Sequence, residues 1–235
     1  MNLTIARLAA SALLGARRVW ALLAFPGALI VLAVLMRLFA EGSTSEQLVT
    51  NLAYPIVLPL VALLATSSVL GPEVDDGSIV YLLAKPVNRY VVALSKYAVA
   101  WVATMLAGVL PLPLIGFVLD GMLTRATQAW TLGGLVAGTA YCALFLALAA
   151  ITRYAVVFGL LFVLMWEGAL GQLLSGIAWV SVRQWGARVA ETVDSWVSGP
   201  DLPLAYALAA AAVVTLGGAW LAGDRLRSFT LRGEA

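Results

Sequence analysis

GPEVDDGSIVYLLAKPVNRYVVALSK, residues 71–96, separates two long apolar runs and decides how the rest of the chain is read. It mixes acids, bases, a turn and a short apolar segment where its flanks carry almost no charge. Proline has no amide hydrogen to give a continuing helix, so Gly71 and Pro72 are expected to end the preceding run. Asp75, Asp76 and Gly77 favour a turn, and Ser78 or an aspartate can cap a new helix start. Ile79, Val80, Leu82 and Leu83 then form a short apolar helix that stops at Lys85-Pro86, because the residue before proline avoids the α region. Asn88 is placed to cap a second helix that runs through Arg89 and Lys96 into the next apolar run. Two short helical pieces lying at a membrane surface follow. On spacing alone they fit an ordinary polar loop with an interfacial helix as well as they fit a docking element.

The flanks explain why a membrane enters the reading. The 235 residues are 63% hydrophobic and 11% charged, whereas soluble domains run roughly 45–50% apolar and about 25% charged. Upstream, residues 48–70 are long enough to cross a hydrocarbon core about 30 Å thick, with a kink expected at Pro55 and Pro59. Residues 19–36 form the span before it and carry Pro26 and Gly27. Residues 1–18 do not read as a cleavable signal. Arg7, Arg17 and Arg18 interleave with leucines there, so an amphipathic helix is expected on the membrane surface with its arginines at lipid phosphates.

Downstream, residues 97–119 and 130–151 are the third and fourth spans, with Pro111 and Pro113 bending the third. Gly133, Gly134 and Gly138 allow close helix approach, so their face is expected to pack on the first span or on a second copy. The low-charge run from residue 154 to 182 would reach about 43 Å as one helix, so a break is expected near Gly171 or Gly176. This gives a fifth span at 154–174 and a re-entrant or outer helical segment at 175–203, with Trp179, Trp185 and Trp196 at the headgroup level. Residues 204–222 are the sixth span. The expected fold is thus an all-α integral membrane protein of six transmembrane helices in one domain.

With the amino terminus inside, Arg7, Arg17, Arg18, Lys85, Arg89, Lys96, Arg153, Arg225, Arg227 and Arg232 are cytoplasmic, against Arg37, Arg125, Arg183 and Arg188 outside. Ten against four satisfies the positive-inside rule, with both termini and residues 71–96 in the cytoplasm. Twelve arginines against two lysines suit a GC-rich bacterial genome, hence a bacterial inner membrane.

Residues 71–96 resemble the first cytoplasmic loop of the type-2 ATP-binding-cassette (ABC) permeases. That loop runs Glu, three residues, Gly-Thr or Gly-Ser, a leucine-rich turn, Pro, then Arg and a Lys entering the third span; here these are Glu73, Gly77, Ser78, Leu82, Leu83, Pro86, Arg89 and Lys96. The resemblance, which with the six-span layout covers nearly the whole chain, implies a coupling helix that docks on a separate ATPase subunit, with Asp75 and Asp76 in the docking set. It also implies a second permease copy or related permease, and ATP with magnesium on the ATPase alone. Val74 stands where the family often has a basic residue, and Ser78 replaces the commoner Thr.

Glu167 is the ionisable residue well inside a span. A carboxylate there costs about 2.5–3.5 kcal/mol on insertion scales, so it must be protonated, paired or wet. A point on a translocation path or subunit interface, and a residue hydrated near the outer surface, are both open readings. The chain has no histidine and no GxxxxGK[ST] motif, so His-based metal sites, Ser-His and Cys-His pairs and a Walker A nucleotide site are excluded. The single cysteine, Cys142, reads as a small hydrophobe. No catalytic or metal-binding set and no nucleic-acid surface is visible. A permease subunit exporting a small lipidic or amphiphilic substrate leads. An ATP-independent channel or carrier, or a non-transporting membrane anchor for an ATPase, stand against it.

Overall fold

The structure, a computed structural model, describes residues 3–13, 15–39, 45–75, 89–170 and 175–228. Among these the chain is helical and contains no strand. Helix α1 is Leu3–Leu13 and α2 is Ala16–Phe39. Helix α3 joins Ser45–Leu48, a π-helical Val49–Val57 and Leu58–Asp75; α4 joins Arg89–Thr104, a π-helical Met105–Val109 and Pro111–Asp120. Then come α5 (Arg125–Ile151), α6 (Ala155–Leu161 continued by a π-helical Phe162–Leu170), a 3-10 segment Ser175–Val180, α7 (Val182–Val193) and α8 (Leu204–Ser228). Among the described residues, five stretches are long and apolar enough to cross a membrane: Trp20–Phe39, Ser45–Leu70, Arg89–Asp120, Arg125–Ile151 and Leu204–Leu226. The chain is an all-α membrane protein. The apolar helix at Ala155–Ala169 is shorter than these, and the expected break at Gly171 lies outside the described residues.

Two of the π-helical segments have a local cause in proline. An α-helical proline clashes with the carbonyl four residues back; a π turn shifts the bonding by one residue and opens room for the ring. Pro55 lies within the first segment. The second closes with Leu110 N–H donating to Met105 O across 2.9 Å, and Pro111 then starts the resumed α-helix, where its missing N–H costs nothing. The expected bends at Pro55 and at Pro111 are therefore local rewindings of continuous helices. Gly71 and Pro72 behave otherwise than the sequence suggests, because α3 runs through them to Asp75. One proline removes one helical hydrogen bond, and a membrane helix held by neighbours tolerates that loss.

Helix α5 is the hub. It packs against α8, α7 and α3, and more lightly against α4 and α6. Its glycines set these distances, but not as expected. A side chain at Gly133 would strike the backbone carbonyl of Gly186 in α7; one at Gly134 would meet Leu112, and one at Gly138 Met105, both on α4. That face serves α7 and α4 instead of the first span or another copy, since α2 lies at the periphery. Helix α2 packs chiefly along Pro111–Asp120 of α4, where Arg37 Nη1 donates to Val118 O at 2.6 Å and Leu119 O at 3.0 Å. At the same end, the Ser45 hydroxyl donates to the Asp120 carboxylate and so clips α3 to α4. We call this end, where α2 finishes, the far end, and the one where α2 starts the near end.

Candidate functional site

At the near end, the residues expected to dock an ATPase separate into three groups. Glu73 and Asp75 fall in the last turns of α3, and Arg89 opens α4. Asp76, Gly77, Ser78, Leu82, Leu83 and Pro86 lie outside the described residues. Lys96 departs from the expectation. It is 1% exposed and its ammonium donates to Val69 O of α3 at 2.9 Å. A lysine entering a span on the face toward α3 can lay its aliphatic stem between the helices and bring its charge to a carbonyl. Lys96 thus ties α3 to α4 beneath the loop and presents nothing to a partner. Of the surface arginines, Arg7 is exposed on α1, while 17 and 18 are backbone positions in the first turn of α2.

At the far end Glu167 lies at the centre of a buried polar cluster. It is 2% exposed. Its Oε2 accepts from the Ser181 hydroxyl at 2.5 Å and its Oε1 from the Val182 N–H at 3.0 Å. Ser181 is the N-cap of α7, and its oxygen accepts from Gln184 N–H at 3.2 Å. The carboxyl group therefore sits on the amino terminus of a 12-residue helix, where unsatisfied N–H groups and the helix dipole favour negative charge. In this arrangement of the helices the Glu167 carboxyl is enclosed by protein. The chain doubles back after α6, so the start of α7 arrives beside it and supplies donors in place of water.

Around this pair α3 and α5 add polar groups that the sequence did not single out. The Tyr54 hydroxyl donates to Arg183 O at 2.6 Å, and its ring lies 4.7 Å from that of Trp130. The Tyr141 hydroxyl is buried beside the Glu167 carboxyl. Trp185, expected at the headgroup level, is 4% exposed, with its indole N–H donating to Trp179 O at 3.1 Å. As a residue of the buried face of α7 it belongs to the core, while Trp179 and Trp196 are exposed. A signal for α7 was present in Ser181-Val-Arg-Gln184, the Ser-x-x-Gln spacing of a capping box.

Beside the cluster is a half-open cavity of about 170 Å³. Asn51, Pro55 and Ile56 line one wall, Val163, Leu164 and Gly168 the other, and Arg183 adds a half-buried guanidinium. Both walls are π-helical, from α3 and α6. Such segments are less favourable than α-helix and recur where a helix must deform. The arrangement can hold a small apolar group with a polar or anionic end. Among the described residues no cluster of acids and cysteines has metal-binding geometry. The chain matches no protein-family model and no curated protein.

Proposed function

We propose that the chain is the membrane-spanning subunit of an ABC transporter, an exporter of a small lipidic or amphiphilic substrate. A separate ATPase subunit docks on residues 71–96 in the cytoplasm of a bacterial cell and supplies ATP and magnesium; a second permease completes the path. One observation carries the reading: Glu73, Gly77, Ser78, Leu82, Leu83, Pro86 and Arg89 follow the type-2 permease pattern between two apolar runs, on the side where basic residues outnumber the other side ten to four. Lys96 keeps the pattern but acts within the bundle. In this proposal α6 belongs to the remaining crossing, which makes six spans with both termini inside.

The cavity between α3 and α6 supports the same reading. Its two π-helical walls give spans 2 and 5 places to rewind, so ATP-driven movement of the loop re-tilts them between two states. Arg183 and Asn51 would meet the polar end of the substrate there.

Co-purification with an ATPase carrying Walker motifs and encoded beside this chain tests the proposal. Wild type is expected to retain the ATPase, and a Glu73→Arg, Leu83→Asp double variant that inserts normally is expected to lose it by at least about tenfold, the equivalent of roughly 1.4 kcal/mol. Equal retention by both, or by neither, overturns the docking and leaves an ATP-independent channel or carrier as the better reading. Retention without amphiphile-stimulated ATP hydrolysis points instead to a membrane anchor.

A further inference from the structure

We propose that a groove between α1, α2 and the first half of α4 holds one acyl chain of an anionic phospholipid, whose headgroup meets arginines of α1 and α2. The inference stands whether or not an ATPase docks on the chain.

The groove arises from how α2 packs. Helix α2 lies along Pro111–Asp120 but makes few contacts with Arg89–Thr104, so the two helices part toward the near end. Helix α1 packs on Arg89–Thr104 and on α3, and fills only part of that wedge. What remains is about 290 Å³ with an almost wholly apolar lining. On α4 it follows Val99, Val102, Ala103, Leu106 and Ala107, the spacing of a single helical stripe. From 99 to 107 that stripe spans about 12 Å, the scale of the upper part of an acyl chain lying along a transmembrane helix.

Charge placement identifies the occupant. Ala10 of α1 and Leu22 of α2 line the groove. Arg7 lies three residues before Ala10 and Arg18 four residues before Leu22, so by helical register each arginine position shares a face with a groove position, and on α2 Arg18 lies one turn nearer the helix start. Arg17 adjoins. The exposed indole of Trp20, on the same turn of α2, marks the interfacial level. An apolar slot that shares its helix faces with three arginine positions is complementary to a phospholipid with net negative charge. A neutral lipid would fill the slot but gain nothing from the arginines.

The test uses the full-length protein reconstituted in an equal mixture of phosphatidylglycerol and phosphatidylcholine, extracted in mild detergent, washed, and weighed intact by native mass spectrometry. Wild type is expected to retain a single phosphatidylglycerol per chain, in preference to phosphatidylcholine by about fivefold for each contributing arginine. Val102→Trp fills the slot from a position 48% exposed, outside the packed core, and is expected to lose the lipid. Arg7→Gln combined with Arg17→Gln and Arg18→Gln is expected to keep a lipid but bind the two phospholipids equally. Unchanged elution and far-ultraviolet circular dichroism establish that both variants fold, with Leu106→Trp, also at an exposed position, as a second slot-filling variant. Absence of retained phospholipid in wild type, equal retention of both lipids by wild type, or retention unaffected by either slot-filling variant overturns the proposal.

Discussion

Gly186→Val is expected to lower the melting temperature of the purified protein by about 10 °C or more, the largest loss from any single substitution considered. A Cβ at Gly186 would fall on the Tyr54 hydroxyl, 2.6 Å from Gly133 O and 2.9 Å from the Ala137 Cβ. Two of these obstacles are a backbone carbonyl and a β-carbon on α5, the hub helix, so no rotamer change relieves them. The helices must move apart. That separation pulls α7 away from the Tyr54 hydroxyl, which donates to Arg183 O, and withdraws the amino terminus of α7 from Glu167. Overpacking alone costs about 1–3 kcal/mol, and the broken hydrogen bonds add about 1–3 kcal/mol for each buried group left unsatisfied. Each kcal/mol is worth roughly 2–4 °C in a chain of this size. Gly217→Ala is the control: nothing lies within 4 Å of a Cβ there, and alanine favours a helix interior over glycine. Its melting temperature is expected to stay level or rise. Equal melting of Gly186→Val and wild type would mean that α5 and α7 do not cross at these glycines.

The second large effect belongs to Glu167. Glu167→Ala removes the acceptor of both the Ser181 hydroxyl and the Val182 N–H, inside protein where water does not replace it. The expected cost is about 2–4 kcal/mol, or roughly 5–12 °C in melting temperature. The loss should be local before it is global. With its start released, α7 and the turn that follows become the first site of proteolysis, while the five long helices stay protected. Glu167→Gln keeps the length and one carbonyl oxygen for the Val182 N–H, so it is expected to lose less than half as much. This ordering also separates a structural role from a transport role. A carboxylate needed only for a translocation path would leave melting unchanged in both variants and abolish amphiphile-stimulated ATP hydrolysis in both.

These two predictions fall where sequence reasoning reached least far. Composition and run length determined the class of protein, because a chain that is 63% hydrophobic with runs of about 20 apolar residues has few stable states outside a bilayer. Sequence also determined the positions of disruption at Pro55 and Pro111, since a missing N–H and a rigid ring act on the nearest turn whatever the tertiary context. It marked Glu167 as a carboxyl group inside a span that must be protonated, paired or wet, and residues 71–96 as the interruption between two spans.

The tertiary structure decided which partners are found. Nothing local in Glu167 points to Ser181, fourteen residues on; the pairing exists because the chain reverses after α6 and returns α7 to the bundle. Gly133 signals close approach but not to what, because a small residue is defined by what it leaves empty, and the backbone that fills the space belongs to Gly186, 53 positions later in the chain. Lys96 shows the same limit from the other side. By pattern it is one more basic residue at the mouth of a span, yet the approach of α3 turns it inward onto Val69 O. Periodicity and charge act along the chain and are legible there. Burial and hydrogen-bond choice depend on which helices meet, and only the folded bundle determines that.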